Sequence, residues 1–333
     1  MRTTALLLAA LLPVGLLGLT SGGHAASAPS PTRAVTDRTS DPTSSRTSGR
    51  TADRAAGCPI APRWHRTATR FGVSLGSNGG GSMKDDLTTE ERRFGTRVPV
   101  VRTWDDTMPT RTPWSEKKRW YGSRWVVTSI RVTPQDVLSG RYDRDLRQYF
   151  RTAPRRTPIF WNYWHEPEDE IRAGQFTERQ YVRAWRHVAR IAGSFCRDNL
   201  YPTLVLMGWT ANSAATPTWQ QVDPGRRFVS VYAWDPYNGA LGDAREYVAP
   251  RHLFSPVVRA SKKSHRPFAI AETGSVRVPG DTDGSGRARW LDKVHTYARQ
   301  HHAVFVTYYQ STRNGDFELR ENPEIRVWRK AMR

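Results

Sequence analysis

The stretch Pro158-Ile-Phe-Trp-Asn-Tyr-Trp164, continuing into His165-Glu166-Pro167, decides how the rest of the chain is read. Its first seven residues form a short apolar and aromatic run closed by a proline, the pattern of a buried strand. It then delivers two chemically capable side chains at its C-terminal end. Outward from it, seven further runs have the same character. Residues 71–75, 98–104 and 125–130 precede it, and 203–207, 228–232, 268–271 and 303–309 follow. Helical patterns lie between several of them. Thr177 with Gln180 three residues on makes a capping box. Tyr181, Ala184, Trp185, Val188, Ile191, Ala192 and Phe195 then recur at helical spacing. Further helices are expected around 287–300, with Trp290, Leu291, Val294, Tyr297 and Ala298 on one face, and over 323–332.

Strands alternating with helices imply a parallel sheet, and eight is the closure number of a (β/α)8 TIM barrel, an α/β fold. Residues 58–333 divide into about 34 residues per unit, a normal βα repeat. The open, doubly wound sheet is the competing architecture. The glycine-rich segment 76–82 lacks both the G-x-G-x-x-G spacing and a Walker lysine, so it reads as a loop at the barrel mouth.

The whole chain, 333 residues with 38% hydrophobic content, is rich enough in apolar residues for a sizeable core. Residues 1–26 combine Arg2, an apolar centre and a small-residue exit, and are expected to be a secretory signal peptide. Residues 27–57 are mostly Ser, Thr, Pro, Arg, Asp and Ala, and read as a disordered linker. No other run is apolar enough to span a membrane once the signal is removed. The protein is therefore expected to be secreted, with a single catalytic domain at 58–333 acting as a monomer. Of the formal +20, the signal and linker carry +1 and +2, which leaves +17 on the domain. The arginines are scattered and form no basic block, so no specific nucleic-acid partner is indicated. Electrostatic contact with an anionic cell wall is consistent with that charge. Two cysteines exclude a disulfide framework and any multi-cysteine zinc module. Cys58 and Cys196 are either bridged or two buried thiols, and export favours the bridge.

The chemistry lies at two strand ends. Glu166 closes the fourth run, and Glu272 closes the seventh in Ala269-Ile-Ala-Glu272-Thr-Gly274. They stand 106 residues apart, about three repeats, so both point to one barrel mouth. Paired carboxylates across such a mouth suit glycoside hydrolysis, one protonating the leaving oxygen and the other attacking or activating water. The alternative for either glutamate taken alone is an ordinary ion pair with one of the many arginines.

With these residues in place, the chain resembles the clan A glycoside hydrolases, most closely family 26, whose members include β-mannanases. His165-Glu166 matches the His-Glu pair ending the family's fourth strand, whose Glu is the acid/base. Glu272-Thr-Gly274 matches the nucleophile ending the seventh. Asp235-Pro236-Tyr237 matches the Asp-x-Tyr of the sixth, whose Tyr hydrogen-bonds the nucleophile. The resemblance implies a retaining endo-β-glycanase acting on β-mannan or a related β-glucan or xylan by double displacement. Glu166 would be the acid/base and Glu272 the nucleophile, with His165 and Tyr237 supporting them. The chain departs from the family in the residues after His-Glu, here Pro167-Glu168-Asp169-Glu170, and in offering Tyr308 and Tyr309 where a Trp platform is usual.

Sugar rings stack on aromatics and pair their hydroxyls with polar side chains. Trp104, Trp164, Trp209, Trp234 and Tyr308 are the expected platforms, each with barrel-core packing as its alternative. Asn162, Asn212 and Asp235 are the expected hydroxyl partners, and Arg102 is placed to orient substrate or tune the carboxylates. No H-E-x-x-H motif or spaced calcium loop is present, so neither metal nor cofactor is implied. The rival function is a non-catalytic cell-wall or polysaccharide-binding barrel, which has no need of both glutamates.

Overall fold

The computed structural model describes residues 57–75, 82–108, 114 and 117–333. The expected signal peptide, nearly all of the expected linker and most of the glycine-rich segment lie outside the described residues. Strands β1 (Arg70–Leu75), β2 (Val100–Asp105), β3 (Trp125–Ile130), β4 (Ile159–Tyr163), β5 (Leu200–Met207), β6 (Val231–Asp235), β7 (Phe268–Thr273) and β8 (Phe305–Gln310) close in sequence order into a parallel barrel. Helices α1 (Met83–Phe94), α2 (Lys117–Tyr121), α3 (Pro134–Leu138), α4 (Asp143–Thr152), α5 (Glu168–Arg172), α6 (Glu178–Gly193), α7 (Pro250–Lys263), α8 (Ser285–Gln300) and α9 (Asn322–Met332) fill the connections. Between β5 and β6 only a 3-10 turn, Gly208–Ala211, forms. Pro217, Pro224 and Gly225 interrupt any helical pattern beyond it.

All eight expected runs are strands. The largest displacement is in the sixth, which starts at Val231 rather than at 228. Phe228 belongs to the preceding loop, where the guanidinium groups of Arg186 and Arg190 lie over its ring. The strand consequently ends on Asp235. Helix α6 opens with the capping box as read: Thr177 Oγ1 accepts from Gln180 N at 3.2 Å, and Gln180 Oε1 accepts from Thr177 N at 2.8 Å.

Period-two alternation divides the apolar residues into two layers. Val100, Val127, Phe160, Val205, Val231, Ala233, Ala269 and Phe305 fill the barrel interior. Phe71, Val101, Trp161, Leu204, Trp234, Ile270 and Tyr308 face outward against the helices. Trp64 closes the N-terminal end, packing edge-on against Trp125 and Tyr201. A Cys58–Cys196 disulfide, Cα atoms 5.4 Å apart, fastens the start of the domain to the segment after α6.

Two irregularities position the site. The β4–β5 pairing stops at Trp161 opposite Pro202, which brings no N–H to the ladder. Above it, Asn162 Oδ1 accepts from Val205 N at 3.3 Å and the Glu166 amide donates to the Val205 carbonyl at 3.1 Å. Glu168 Oε1 accepts from Met207 N at 2.9 Å. The second irregularity is a bulge in β7, where Ile270 pairs with Val306 but Thr273 with Tyr308, three steps against two. The extra residue reverses the alternation, so Glu272 turns inward after the inward-facing Ala271.

Candidate active site

Arg102, inward-facing on β2 and fully buried, is the centre of the mouth. Its Nε donates to Glu272 Oε1 at 2.8 Å, and its terminal nitrogens reach Asp235 Oδ2 at 3.3 Å and Ser129 Oγ at 3.4 Å. Glu272 also accepts from Ser74 Oγ at 3.0 Å and from the Tyr237 hydroxyl at 2.6 Å. Burial and the Glu272 charge push the Tyr237 phenol well above its ordinary value, so it stays a donor. Three donors on one carboxylate complement its charged form. Gly274 keeps this arrangement close: a Cβ there would stand 2.9 Å from Phe317 and 3.4 Å from Tyr237.

Glu166 has a different surrounding. It is partly open to the mouth, and desolvation together with the Glu272 charge pushes its carboxyl up to about 7. Arg102 and Arg131 oppose that rise but do not cancel it. Asp235 lies within hydrogen-bond reach of Glu166 and is pushed well up by burial. Asp235 Oδ1 is buried with no other donor among the described residues. Burial and the mutual repulsion of the carboxylates thus favour a proton on the Glu166–Asp235 pair. The backbone carries strain here: Trp164 and Glu166 both take left-handed conformations, φ 49° and 50°.

His165 lies between those two residues. Burial and the charges of Arg102 and Arg131 hold it well below its ordinary value, so it is neutral. Its ring packs 5.9 Å from Trp104 and makes no hydrogen bond to Glu166 among the described residues. It forms part of the wall and leaves Nδ1 unpartnered.

The expected sugar contacts divide. Trp104 and Trp209 are partly exposed, Asn212 is exposed, and Trp164 retains 8% exposure. Trp164 packs on Phe176 and carries the Arg131 guanidinium over its face. Four others require correction. Trp234 is fully buried in the outer layer, donating to Ser261 Oγ on α7. Tyr308 is likewise buried, packed on Trp328 with its hydroxyl on the Ser275 and Phe317 carbonyls. Neither presents a face to a sugar. Asn162 is buried and spent on Ser129 and Val205 N, and the Asp235 side chain is sequestered by Arg102 and Glu166. These two build the site rather than touch substrate.

Sequence reasoning gave Ser74 and Glu168 no role at the site, and of the neighbours Tyr308 and Tyr309 it selected Tyr308. Tyr309, inward where Tyr308 is outward, packs on Tyr237 at 5.9 Å. Alternation contains the signal, because adjacent residues such as Trp234 and Asp235, or Tyr308 and Tyr309, cannot both face inward. Glu168 is fully buried, its Oε1 accepts from Met207 N, and burial pushes its carboxyl well up.

No family model matches the chain, and no curated protein does. Solved structures do share its fold. A glucosidase from Croceicoccus marinus superposes with TM-score 0.58 at 11% identity, covering 83% of this chain and 69% of that one. A modular endo-β-1,4-mannanase of glycoside hydrolase family 26 from Cellulomonas fimi gives 0.56 at 14%, covering 79% and 70%. Cel5A of Thermotoga maritima, in complex with mannotriose, gives 0.55 at 13%, covering 80% and 98%. The chain thus has the barrel fold found among clan A glycosidases.

Proposed function

We propose that the protein is an exported, retaining endo-β-glycanase that hydrolyses a β-mannan or a related β-glucan or xylan. The observation that carries this reading is the asymmetry around Arg102: Glu272 held by three donors, Glu166 with its carboxyl raised to about 7. In the first step a Glu272 oxygen attacks the anomeric carbon. The glycosidic C–O bond breaks as Glu166 gives its proton to the departing oxygen. In the second, Glu166 takes a proton from water, which attacks the same carbon and releases Glu272. Asp235 shares the Glu166 proton and Arg102 offsets the charge of the group. Trp104, Trp164, Trp209 and Asn212 are the accessible candidates for sugar contact. The mannanase and Cel5A neighbours support the substrate class. The Cys58–Cys196 bridge supports an oxidising, extracellular location.

The test is release of reducing sugars from β-mannan, mixed-linkage β-glucan and xylan, with the anomer of the first product followed by NMR. Initial β-anomer supports double displacement, whereas initial α-anomer makes the enzyme inverting. Absence of release from any of the polymers leaves a binding barrel.

A further inference from the structure

The end of the barrel opposite the glutamates carries a cleft of contrary charge. A cavity of about 430 Å³ is lined by Arg63, Trp64, Arg226, Arg227, His265 and Arg266, with Pro267 at its edge. A second, of about 250 Å³, shares Trp64 and Arg266 with it and adds Arg66 and Lys262. Among the described residues, no carboxylate lines either cavity. Acidic groups nearby are already engaged. Asp223, on the loop of Arg226, accepts from the Tyr232 hydroxyl at 2.6 Å and from Gly225 N at 2.8 Å. Asp198 stands close enough to Arg197 and Tyr201 for its charge to act on them, and it lines neither cavity.

The arginines are placed rather than merely abundant. Arg266 Nε donates to the Arg226 carbonyl at 3.2 Å, which fixes its guanidinium in the cleft. Burial and the positive charges of Arg63 and Arg226 hold Arg266 below its ordinary value, as expected of cations gathered without a counter-ion. Lys262 and Lys263 sit in the last turn of α7, where they offset the negative helix end. That explanation does not extend to Arg63, Arg226 and Arg227. They belong to no helix, are exposed, and have no ion-pair partner among the described residues.

We propose that this cleft binds an anionic polysaccharide, one bearing phosphodiester or carboxylate groups, at the barrel end remote from the glutamates. Planar guanidinium groups pair with either anion through two parallel hydrogen bonds. The half-buried Trp64 indole lines the same cleft and adds aromatic surface beside the guanidinium groups. A polymer held there leaves the carboxylate mouth free, and the inference stands whether or not the glutamates are catalytic.

The full chain is titrated with a polyol-phosphate polymer, polygalacturonate, neutral dextran and duplex DNA over a range of salt. Arg63→Gln/Arg226→Gln/Arg227→Gln is compared with Arg144→Gln/Arg147→Gln/Arg151→Gln. The second triple removes the same charge from exposed positions on α4. The expected result is binding to at least one anionic polysaccharide and none to dextran. Affinity should fall about tenfold or more in the cleft variant, with a log–log salt slope lower by about 2–3, and stay within about twofold in the control. The polymer that is bound distinguishes phosphate from carboxylate. Equal loss in both variants, no binding to either anionic polysaccharide, or tighter binding to DNA than to both would overturn the proposal.

Discussion

Glu166 and Glu272 are the same residue type at two strand ends of one barrel mouth, and the protein gives them opposite surroundings. Glu272 turns inward at a β-bulge and meets Ser74, Arg102 and Tyr237, all donors. Glu166 sits on a left-handed backbone held by a split strand seam and faces a second carboxylate, Asp235. Residue type therefore does not set the chemical role. In the proposed mechanism the number of donors aimed at each carboxylate does, and a single buried arginine touches the electrostatics of both.

The largest effects should come from removing each glutamate in turn. In Glu272→Ala turnover is expected to fall on the order of 10⁴-fold, and azide entering the vacated face should give the inverted glycosyl azide. In Glu166→Ala an aryl glycoside with a good leaving group should still form the glycosyl-enzyme, because no proton is needed. Its slow second step should be rescued by azide with retained configuration. Exchange of the two azide products would exchange the roles. Full activity in both variants would remove the enzymatic reading.

A smaller change sharpens the Glu272 side alone. Tyr237→Phe deletes the 2.6 Å hydrogen bond to Oε2 while leaving the ring packed on Phe317. A hydrogen bond to a charged group contributes about 1.5–3 kcal/mol, so kcat/KM should drop roughly 10- to 150-fold. The position of the basic pH limb should hardly move, since the proposed mechanism assigns that limb to Glu166. A fall of less than twofold would mean that the phenol does not hold the nucleophile.

The smallest effect is on pH dependence and isolates the Glu166 side. The acid must carry its proton, so kcat/KM on poor leaving groups should decline above about pH 7, where the raised carboxyl ionises. The same shift acts on stability. Its folded pKa lies above the ordinary 4.5, so the folded state binds more protons, and the Glu166 contribution to stability is lost as pH rises from 4.5 to about 7. Melting temperatures of Glu166→Gln relative to wild type should therefore rise across that window. A constant difference would show that Glu166 titrates normally.

Much of this was legible from local pattern. Each strand is a short apolar run between turn formers, and the α6 capping box satisfies its own backbone donors, so eight strands and that helix start could be read from the chain itself. The spacing of 106 residues placed both glutamates at strand ends, and Asp235-Pro236-Tyr237 marked the end of β6. What the sequence left undecided was which face each side chain takes. Strict alternation from Ala271 would send Glu272 outward among the helices, and only the β7 bulge, set by pairing with β8, turns it toward Arg102. Selecting Trp234 with Asp235 named both neighbours on one strand, when one of them had to face α7. The break at Pro202, which leaves amides of β5 to Asn162 and Glu168, likewise depends on a partner about 40 residues away in the chain. Local hydrophobic runs determine that strands form. Register, bulges and the sharing of one buried charge arise only between strands, and those decided the site.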